Sequence, residues 1–589
     1  MQNPKKYYQK QLAFFQEELN GLKSKSLYIS ALRLLVFVIL VFAVYHNYSS
    51  MNAILIIALI GIPVFLYLVT KSENIKQKIA KTKEFININE IELKVLERDF
   101  HFLPTGKEFI NPEHHFSYDI DLFGNASFFQ YLNRSIKQSS KAVLAHLLTS
   151  NDINHIAEKQ NAVKELAGKA GWRQDFMVTS RLSGIRYNAS QVTGWMQRYR
   201  GFTHQLIYYG TIFFSVVSIF VLFAFFTDMI SAKVFTAWLI LGLVIVGKSA
   251  KKIHKLSAET DLIQPSFRSY KQLVELIENE SFTSKLLQDK KQELVKNNAN
   301  VSTKINQFLT LYQQKEFSNN LIIKVIGNAF FLYDLFTSYR LEQWIDQHKN
   351  QVADWFALAD YFEAYTNLGG FAFNHPDYTF PNLVNTGITI DAKQFAHPLI
   401  DPNKRIDNDF VINQKEFYII TGANMAGKST FLRTVSLGIV MANTGLPVCA
   451  QSFDYQPIKL ITSMRTSDSL SKDESYFFSE LKRLQFMVGE MQNEEYFIVL
   501  DEILKGTNSK DKAIGSKKFV EKLIHSNSTG IIATHDLSLC TLADDYKQIK
   551  NYFFDAEIIN DELFFDYQLK TGICQNMNAS FLLKKMGIV

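Results

Sequence analysis

The chain has 589 residues and a mass of 67.8 kDa, and at about 150 residues per domain this length predicts several domains. Its composition, 47% hydrophobic and 20% charged with 11 Pro and 26 Gly, excludes a mostly disordered or collagen-like protein. The net charge of +6 is mild for this length, so it permits an anionic partner without requiring one. Because none of the three cysteines (Cys449, Cys540 and Cys574) shows CxxC spacing, we expect no zinc, haem or disulfide partner.

The first long apolar segment runs from Leu34 to Thr70 without any Asp, Glu, Lys or Arg. It is too long for one membrane span, which needs about 20 residues, and the polar stretch His46–Ser50 divides it. We therefore predict a hairpin of two helices, near Ser30–Tyr45 and Ala53–Val69.

A second apolar pair is predicted at Leu206–Phe226 and Ile230–Gly247. Lys and Arg residues flank the outer ends of both hairpins, whereas the two turns carry only Asp228 and Lys233. The positive-inside rule then places both hairpin tips outside and the bulk of the chain on the cytoplasmic side. The pattern predicts a multi-pass membrane protein with the lipid bilayer as a partner. The alternative is a set of buried core helices in a soluble protein.

The remaining N-terminal sequence has mostly helical periodicity. Ile75–Phe100 predicts an amphipathic helix, and the Pro- and Gly-containing stretch His101–His115 predicts a linker. Helical patterns follow at Tyr118–Leu206 and Ser257–Leu368. The Gly-, Pro- and Asn-rich stretch Gly369–Asn385 predicts a boundary, because short β-rich runs alternate with helices beyond it, as in an α/β unit.

The clearest chemical motif follows a strand pattern at Phe417–Ile420. Residues 421–430 read TGANMAGKST, in which two glycines let the backbone curl so that its N–H groups face phosphate oxygens. The following lysine is expected to reach the β- and γ-phosphates of a nucleotide, and the serine hydroxyl to bind Mg²⁺. A helix begins at once, and its positive N-terminal end adds to the anion site. The predicted nucleotide-binding residues here are Gly422, Ala423, Asn424, Met425, Ala426, Gly427, Lys428, Ser429 and Thr430.

Two later strand patterns end in residues suited to the same chemistry. Phe497–Leu500 leads into Asp501 and Glu502, where Asp501 would hold Mg²⁺ and Glu502 would deprotonate the attacking water. Another strand leads into His535, which is placed to sense the γ-phosphate. The alternatives are an acidic strand end that caps the next helix and a structural histidine. The predicted catalytic residues are Lys428, Glu502 and His535, and the predicted Mg²⁺ ligands are Ser429 and Asp501.

The order and the sequences of these motifs resemble those of the DNA mismatch repair MutS family of ABC-type ATPases. TGANMAGKST resembles its phosphate loop, VLDEILKGTNS its Asp-Glu strand and following turn, and ATHD its His switch, while residues 467–470 and 474–480 resemble its signature segment. Upstream, Asp119–Ser135, Gln160–Val163 and Ala396–Leu399 resemble the start of the lever domain, its continuation and the start of the ATPase domain. The resemblance covers Tyr118–Gly201 and Asn319–Val589.

The resemblance implies ATP and Mg²⁺ as cofactors and a composite site in a homodimer that forms through the ATPase domains. Ser475 of one protomer would face the γ-phosphate bound by Lys428 of the other, and the turn at residues 506–509 would lie at the dimer junction. The family's mismatch-reading and connector domains have no counterpart here, and the second hairpin falls near the place of its DNA-gripping clamp. Arg405 and Ile406 stand where the family has an aromatic residue that stacks on adenine.

The predicted fold class is a multidomain protein with α-helical membrane hairpins and a helical lever domain, followed by an α/β P-loop (ABC-type) ATPase domain. Residues 1–70 carry the first hairpin, and residues 71–117 an amphipathic helix and linker. Residues 118–375 form the helical core or lever domain with the second hairpin at residues 206–247, and residues 376–589 form the ATPase domain.

Three candidate functions are compatible with the predicted ATP hydrolysis. The first is a membrane-anchored MutS-like ATPase that acts on DNA, favoured by the motifs. The second is a membrane mechanochemical ATPase without DNA binding, favoured by the missing DNA-reading parts. The third is an ABC-type transporter, against which stand apolar segments with almost no charged residue to line a path.

Overall fold

The computed structural model describes residues 3–182, 189–295, 300–318, 320–423, 425–465, 476–505, 507–559 and 562–575. Within these residues the chain is helical up to Asn374 and forms an α/β domain from Asn382 onward. This arrangement confirms the predicted order of a helical region followed by an α/β domain. The predicted division between residues 375 and 376 falls in the loop between the two parts.

Two long helices open the chain and pack against each other as a hairpin: α1 (Pro4–His46) and α2 (Met51–Leu96). The side chains of Asn3 and Ser50 cap their first turns. Helix α2 runs as one helix through the predicted division between residues 70 and 71. No residue between Thr70 and Ile75 breaks a helix. The sequence changes there from apolar to charged residues, but the backbone of α2 continues unchanged.

The second helical part surrounds a central helix. The predicted helical stretch from Tyr118 starts later than expected, because residues 118–127 form turns and extended backbone. The helices of this part are α3 (Phe128–Leu132), α4 (Gln138–Thr149), α5 (Ile156–Gly168), α6 (Ala170–Leu182), α7 (Ala189–Arg198), α8 (Gln205–Phe226), α9 (Ala232–Gly247), α10 (Ala250–Asn279), α11 (Lys285–Gln292), α12 (Val301–Phe317), α13 (Leu321–Phe331), α14 (Tyr333–His348) and α15 (Val352–Asn374).

Helix α15 is the centre of the core, since most of its side chains are buried and it packs on α4, α5, α6 and α10. The boundary stretch predicted at Gly369–Asn385 contains the loop between α15 and β1 but begins too early, because Gly369 lies inside this helix. A Cβ atom at Gly369 would lie 2.6 Å from the Cβ of Leu166 on α5. The glycine is thus explained by close helix packing rather than by a turn.

Among the described residues, α1, α2 and α8 are long and apolar enough to cross a membrane, and the count rises to five if the bent pairs α9–α10 and α13–α14 are each one span. Only 6%, 11% and 17% of the most apolar windows of α1, α2 and α8 are buried within the chain. The lipid partner stays a prediction.

The C-terminal domain contains two sheets and a short hairpin within the described residues. Its strands are β1 (Asn382–Leu383), β2 (Ile388–Phe395), β3 (Asn408–Asn413), β4 (Phe417–Gly422), β5 (Ser452–Tyr455), β6 (Lys459–Ser463), β7 (Tyr496–Asp501), β8 (Thr529–Ala533), β9 (Ile549–Phe554), β10 (Glu557–Ile559), β11 (Glu562–Phe564) and β12 (Leu569–Thr571). Its helices are α16 (Lys428–Thr444), α17 (Tyr476–Glu490), α18 (Ser509–Ile524) and α19 (Leu542–Asp545).

The larger sheet has the order β12-β9-β4-β8-β7-β6, and its strands from β9 to β6 are parallel. Strands β4 and β8 are buried throughout, which explains why they read as continuous apolar runs instead of alternating ones. The smaller sheet has the order β1-β5-β2-β3. Helix α16 joins the two parts of the chain, because it packs on α4 and α5 as well as on the larger sheet.

Candidate functional site

Three strands of the larger sheet bring the predicted site residues to one edge. In the parallel register, Ala533 of β8 lies beside Ile420 of β4 and beside Asp501 of β7. The segments that follow β4, β7 and β8 therefore leave the sheet at the same end. In parallel α/β sheets this carboxyl end is where ligands bind.

The curled backbone of the loop between β4 and α16 requires glycine at two positions. Gly422 has φ +147°, and a Cβ atom there would lie 2.5 Å from the carbonyl oxygen of Phe554 on β9. Gly427 has φ +108°, and Met425 also adopts positive φ, at +68°. Ala423 and Ala426 complete the described part of the loop, and the predicted Asn424 lies outside the described residues.

Lys428, the first residue of α16, is buried, and its ammonium group folds back over this loop. It donates hydrogen bonds to the carbonyl oxygens of Gly422 at 2.7 Å and Ala423 at 2.9 Å. Burial lowers the pKa of Lys428 below its usual value, and the carboxylates of Asp501 and Glu502 oppose that shift. A buried cation at a helix N-terminus suits the binding of an anionic oxygen.

Ser429 and Asp501 lie close enough to share a metal ion. The Ser429 hydroxyl donates a hydrogen bond of 2.7 Å to an Asp501 carboxylate oxygen. Adjacent ligands at about 2.0–2.1 Å in an octahedral Mg²⁺ site are roughly 2.9 Å apart, so both oxygens fit one coordination sphere. The donor set of one hydroxyl and one carboxylate, with water and phosphate completing the sphere, is the kind that Mg²⁺ takes.

Glu502 and His535 form a pair beside the lysine. His535 Nε2 lies 3.2 Å from a Glu502 carboxylate oxygen and 3.4 Å from Lys428 Nζ. Burial lowers the pKa of His535, the Lys428 cation lowers it further, and Glu502 opposes them. A neutral imidazole nitrogen either donates or accepts, so Nε2 serves Glu502 as a donor or Lys428 as an acceptor, but not both at once.

The turn after Glu502 is held by the buried carboxylate of Glu480, the last residue of the segment that resembles the family's signature. Glu502 itself has φ +56°, and its N–H donates to the carbonyl oxygen of Ala533 at 2.9 Å. Glu480 of α17 accepts hydrogen bonds from the N–H groups of Leu504 at 2.6 Å and Lys505 at 3.3 Å. Glu480 therefore positions the loop that carries Glu502.

A cavity of about 300 Å³ opens beside the loop, next to Gly427 and Thr430. Its lining includes His397 and Tyr567, and burial lowers the pKa of His397 to about 4, so its ring is neutral at pH 7. Tyr567 is 44% exposed, and its ring lies 3.1 Å from the position that a Cβ at Gly427 would take. Such a cavity suits a flat heteroaromatic ring next to a phosphate site.

Arg405, which stands where the family has a stacking aromatic residue, also lines this cavity. Its guanidinium donates to the Asp407 carboxylate at 2.9 Å and to the Cys449 sulfur at 3.0 Å. Tyr567 was missed because it lies far along the chain. The Asn408 side chain holds this segment near the cavity. Its amide nitrogen donates to the Tyr567 carbonyl oxygen at 3.0 Å, and its amide oxygen accepts from the Leu569 N–H at 2.7 Å.

The predicted residues thus divide into two groups. Those of the loop, the two carboxylates and His535 come together within the part of the chain that the structure describes. Ser475 and most of the signature segment lie outside the described residues, as does Gly506 of the predicted dimer-junction turn. No cluster of three or more His, Cys, Asp or Glu side chains that could hold a metal ion occurs among the described residues.

Comparison with known proteins places this domain in a family. Residues 418–584 match the family model of MutS domain V. The relation to the MutS family is therefore shown for this α/β domain. The MutS match begins in β4 and includes the loop, both carboxylates and His535.

Individual MutS relatives are similar over a limited part of their length. The chain is 30% identical over 217 residues to the DNA mismatch repair protein MSH4 of Arabidopsis thaliana, covering 36% of this chain and 27% of the relative. It is 29% identical over 334 residues to MSH3 of Candida albicans, covering 52% and 30%. It is 32% identical over 197 residues to MutS of Alkaliphilus oremlandii, covering 32% and 22%. The chain therefore spans less than a third of the length of these relatives.

The first prediction concerns the curl of the loop. Gly422→Ala should abolish detectable binding of a fluorescent ATP analogue, because the added Cβ meets the Phe554 carbonyl at 2.5 Å and a positive φ costs about 1–3 kcal/mol. The matched control is Gly489→Ala in α17, where an added Cβ meets nothing within 4 Å. Both variants should be checked for folding by thermal unfolding. Unchanged analogue affinity in a folded Gly422→Ala protein would contradict this account of the loop.

Proposed function

We propose that this chain is a membrane-anchored MutS-type ATPase, which converts ATP and water to ADP and phosphate. The observation that carries the proposal is the meeting, at one sheet edge, of Lys428, the Ser429–Asp501 pair and the His535–Glu502 pair. Each of these groups suits one part of phosphoryl transfer, and they come from three separate strands. MutS membership supports the same chemistry.

Each group has one task in the proposed reaction. The N–H groups of the loop and the Lys428 ammonium hold the phosphates, and Mg²⁺ held by Ser429 and Asp501 neutralises their charge when bound. Glu502 accepts a proton from the water whose oxygen attacks the γ-phosphorus, as the bond from that phosphorus to the β–γ bridging oxygen breaks. His535, held by Glu502 on one side, is placed to contact the γ-phosphate.

The base of the nucleotide is proposed to occupy the cavity beside Gly427. The loop and the cavity share Gly427 and Thr430, so a molecule with phosphates at one end and a flat ring at the other can occupy both. Tyr567 supplies the aromatic surface. The composite site with the partner's Ser475 follows from the family resemblance, and a homodimer that closes on ATP is part of the proposal.

Anchoring in the bilayer is proposed for both helical hairpins. The support is the exposure of apolar side chains along them, for example Phe37 at 52%, Leu59 at 77% and Phe213 at 71%. Contiguous exposed apolar surface of this length is not tolerated in water and fits lipid. The flanking lysines and arginines support a cytoplasmic location for the rest of the chain.

DNA is proposed as the polymer on which the ATPase acts, because the relatives MSH4 and MSH3 are named DNA mismatch repair proteins. One observation favours the second candidate, a membrane mechanochemical ATPase without DNA binding. At the end of α2, the Arg98 guanidinium donates a hydrogen bond of 2.6 Å to the carbonyl oxygen of Pro398. Pro398 adjoins His397 in the wall of the proposed base cavity, so the first hairpin contacts the nucleotide domain directly.

The second prediction tests hydrolysis. Glu502→Gln should leave ATP binding intact and lower the ATPase rate on the order of 10²–10⁴-fold, since the amide cannot accept the proton of the attacking water. The matched control is Glu495→Gln, which removes the charge of an exposed carboxylate just before β7 begins. Phosphate release from the detergent-solubilised protein is the measurement. Equal rates for Glu502→Gln and the unsubstituted chain would remove Glu502 from the mechanism.

The third prediction separates the two candidate functions. If the chain acts on DNA, the solubilised protein should bind duplex and mismatched DNA with an affinity that falls as salt rises, because phosphate contacts release counterions. Fluorescence anisotropy at several salt concentrations, with and without ATP, measures this. Absence of binding at low salt, in a preparation that hydrolyses ATP, would reject the DNA function and leave the mechanochemical one.

A further inference from the structure

One apolar helix was not recognised from the sequence as membrane-associated. Helix α13 has only 11 residues, about 16 Å, which is too short to cross a bilayer core of about 30 Å. Its first two turns nevertheless expose Leu321 at 75%, Ile322 at 67%, Val325 at 45% and Ile326 at 50%. These four side chains lie on one side of the helix, because the last three follow Leu321 by one, four and five residues. An apolar face of this kind is unusual for a protein surface in water.

The covered end of α13 packs against the second hairpin. A Cβ atom at Gly242 of α9 would lie 2.5 Å from the carbonyl oxygen of Ala329, so the two helices approach closely there. The rings of Phe330 and Phe235 are 6.0 Å apart, and the Ser215 hydroxyl donates to the carbonyl oxygen of Phe331 at 3.4 Å. Helix α13 is therefore attached at its C-terminal end to the two apolar helices α8 and α9.

The direction of α13 follows from its neighbour. Helix α14 runs antiparallel to the first half of α8, since Tyr208 stacks on Tyr339 at 4.8 Å whereas Ser215, two turns further along α8, contacts Phe331, which lies just before α14. Helix α13 meets α14 at an angle of 88°. If α8 crosses the bilayer, α13 consequently lies close to the membrane plane.

A buried polar cluster fixes this elbow. Lys315 of α12 lies 2.9 Å from Asp334 of α14, and the Asn328 amide donates to the same carboxylate at 2.7 Å. The Asn328 side-chain oxygen accepts the Asp334 N–H at 2.9 Å. All three side chains are almost fully buried, so the right angle between α13 and α14 is set by satisfied hydrogen bonds and not by a loose joint.

We propose that α13 is an interfacial helix, whose exposed face contacts the acyl chains of the leaflet on the basic side of the second hairpin. The proposal rests on the proposed anchoring of α8 and α9. The depth agrees with it, because Gly242 lies six residues, about 9 Å, from Lys248, and interfacial helices are buried about 5–10 Å. Lys324 lies about 130° around the helix from the centre of the apolar face, where its ammonium reaches the headgroups.

The test uses spin labels on the full chain in lipid nanodiscs. A nitroxide at Ile326→Cys, and separately at Ile322→Cys, should be accessible to oxygen, which partitions into lipid, and several-fold less accessible to a water-soluble nickel chelate. Leu241→Cys on α9 reports the proposed anchoring, and Asp346→Cys at the far end of α14 is the aqueous control, with a 78% exposed side chain. The unsubstituted chain, whose three cysteines are buried, gives the labelling background.

The outcomes separate the two claims. Labels on α13 that collide with the nickel chelate, while Leu241→Cys is lipid-exposed, overturn the interfacial helix and keep the anchoring. Labels protected from both reagents show that protein, such as a second copy of the chain, covers the face, and this also overturns the proposal. A water-exposed label at Leu241→Cys rejects the anchoring itself.

Discussion

The account depends on one buried cation at the end of a parallel sheet. Lys428 is held over its own loop by the carbonyl oxygens of Gly422 and Ala423, and the groups that end β7 and β8 surround it. The backbone carbonyls and the two carboxylates offset part of the desolvation of this ammonium, and its position at the N-terminal end of α16 suits multivalent anions. This charge is surrounded by the loop, the Ser429–Asp501 pair and His535.

The same region is fastened to the helical part of the chain by polar contacts. Asp119 accepts hydrogen bonds from the Thr462 hydroxyl at 2.6 Å and from the Arg465 N–H at 2.9 Å, beside β6. At the end of α2, Glu92 forms a buried ion pair of 2.7 Å with Arg134. Removing one partner of such a buried pair is far more damaging than losing a surface ion pair. The Glu92–Arg134 pair joins the first hairpin to the helical core, and Asp119 joins that core to the nucleotide domain.

Local patterns predicted those elements whose cause is local. The strand–loop–helix around Gly427 and the strands that end in Asp501 and Ala533 could be read from short motifs, and so could the apolar hairpins. What the sequence hid depends on contacts between distant segments. Gly369 reads as a boundary until Leu166 is seen against it, and Tyr567 reaches the cavity only through Asn408, which lies 159 residues earlier. Helix α13 is too short for its sequence to indicate contact with a membrane. Its place beside α9 becomes visible only through its close packing on Gly242.

Photoaffinity labelling is the most direct measurement of the central claim, that the loop and the adjoining cavity form one nucleotide site. Irradiation with an azido-adenine ATP analogue should attach label to peptides that line the cavity, either residues 395–408 or the segment with Tyr567. Excess ATP should compete for this labelling, and Lys428→Ala should abolish it. Label that persists unchanged in Lys428→Ala, or that maps only to other parts of the chain, would contradict the account.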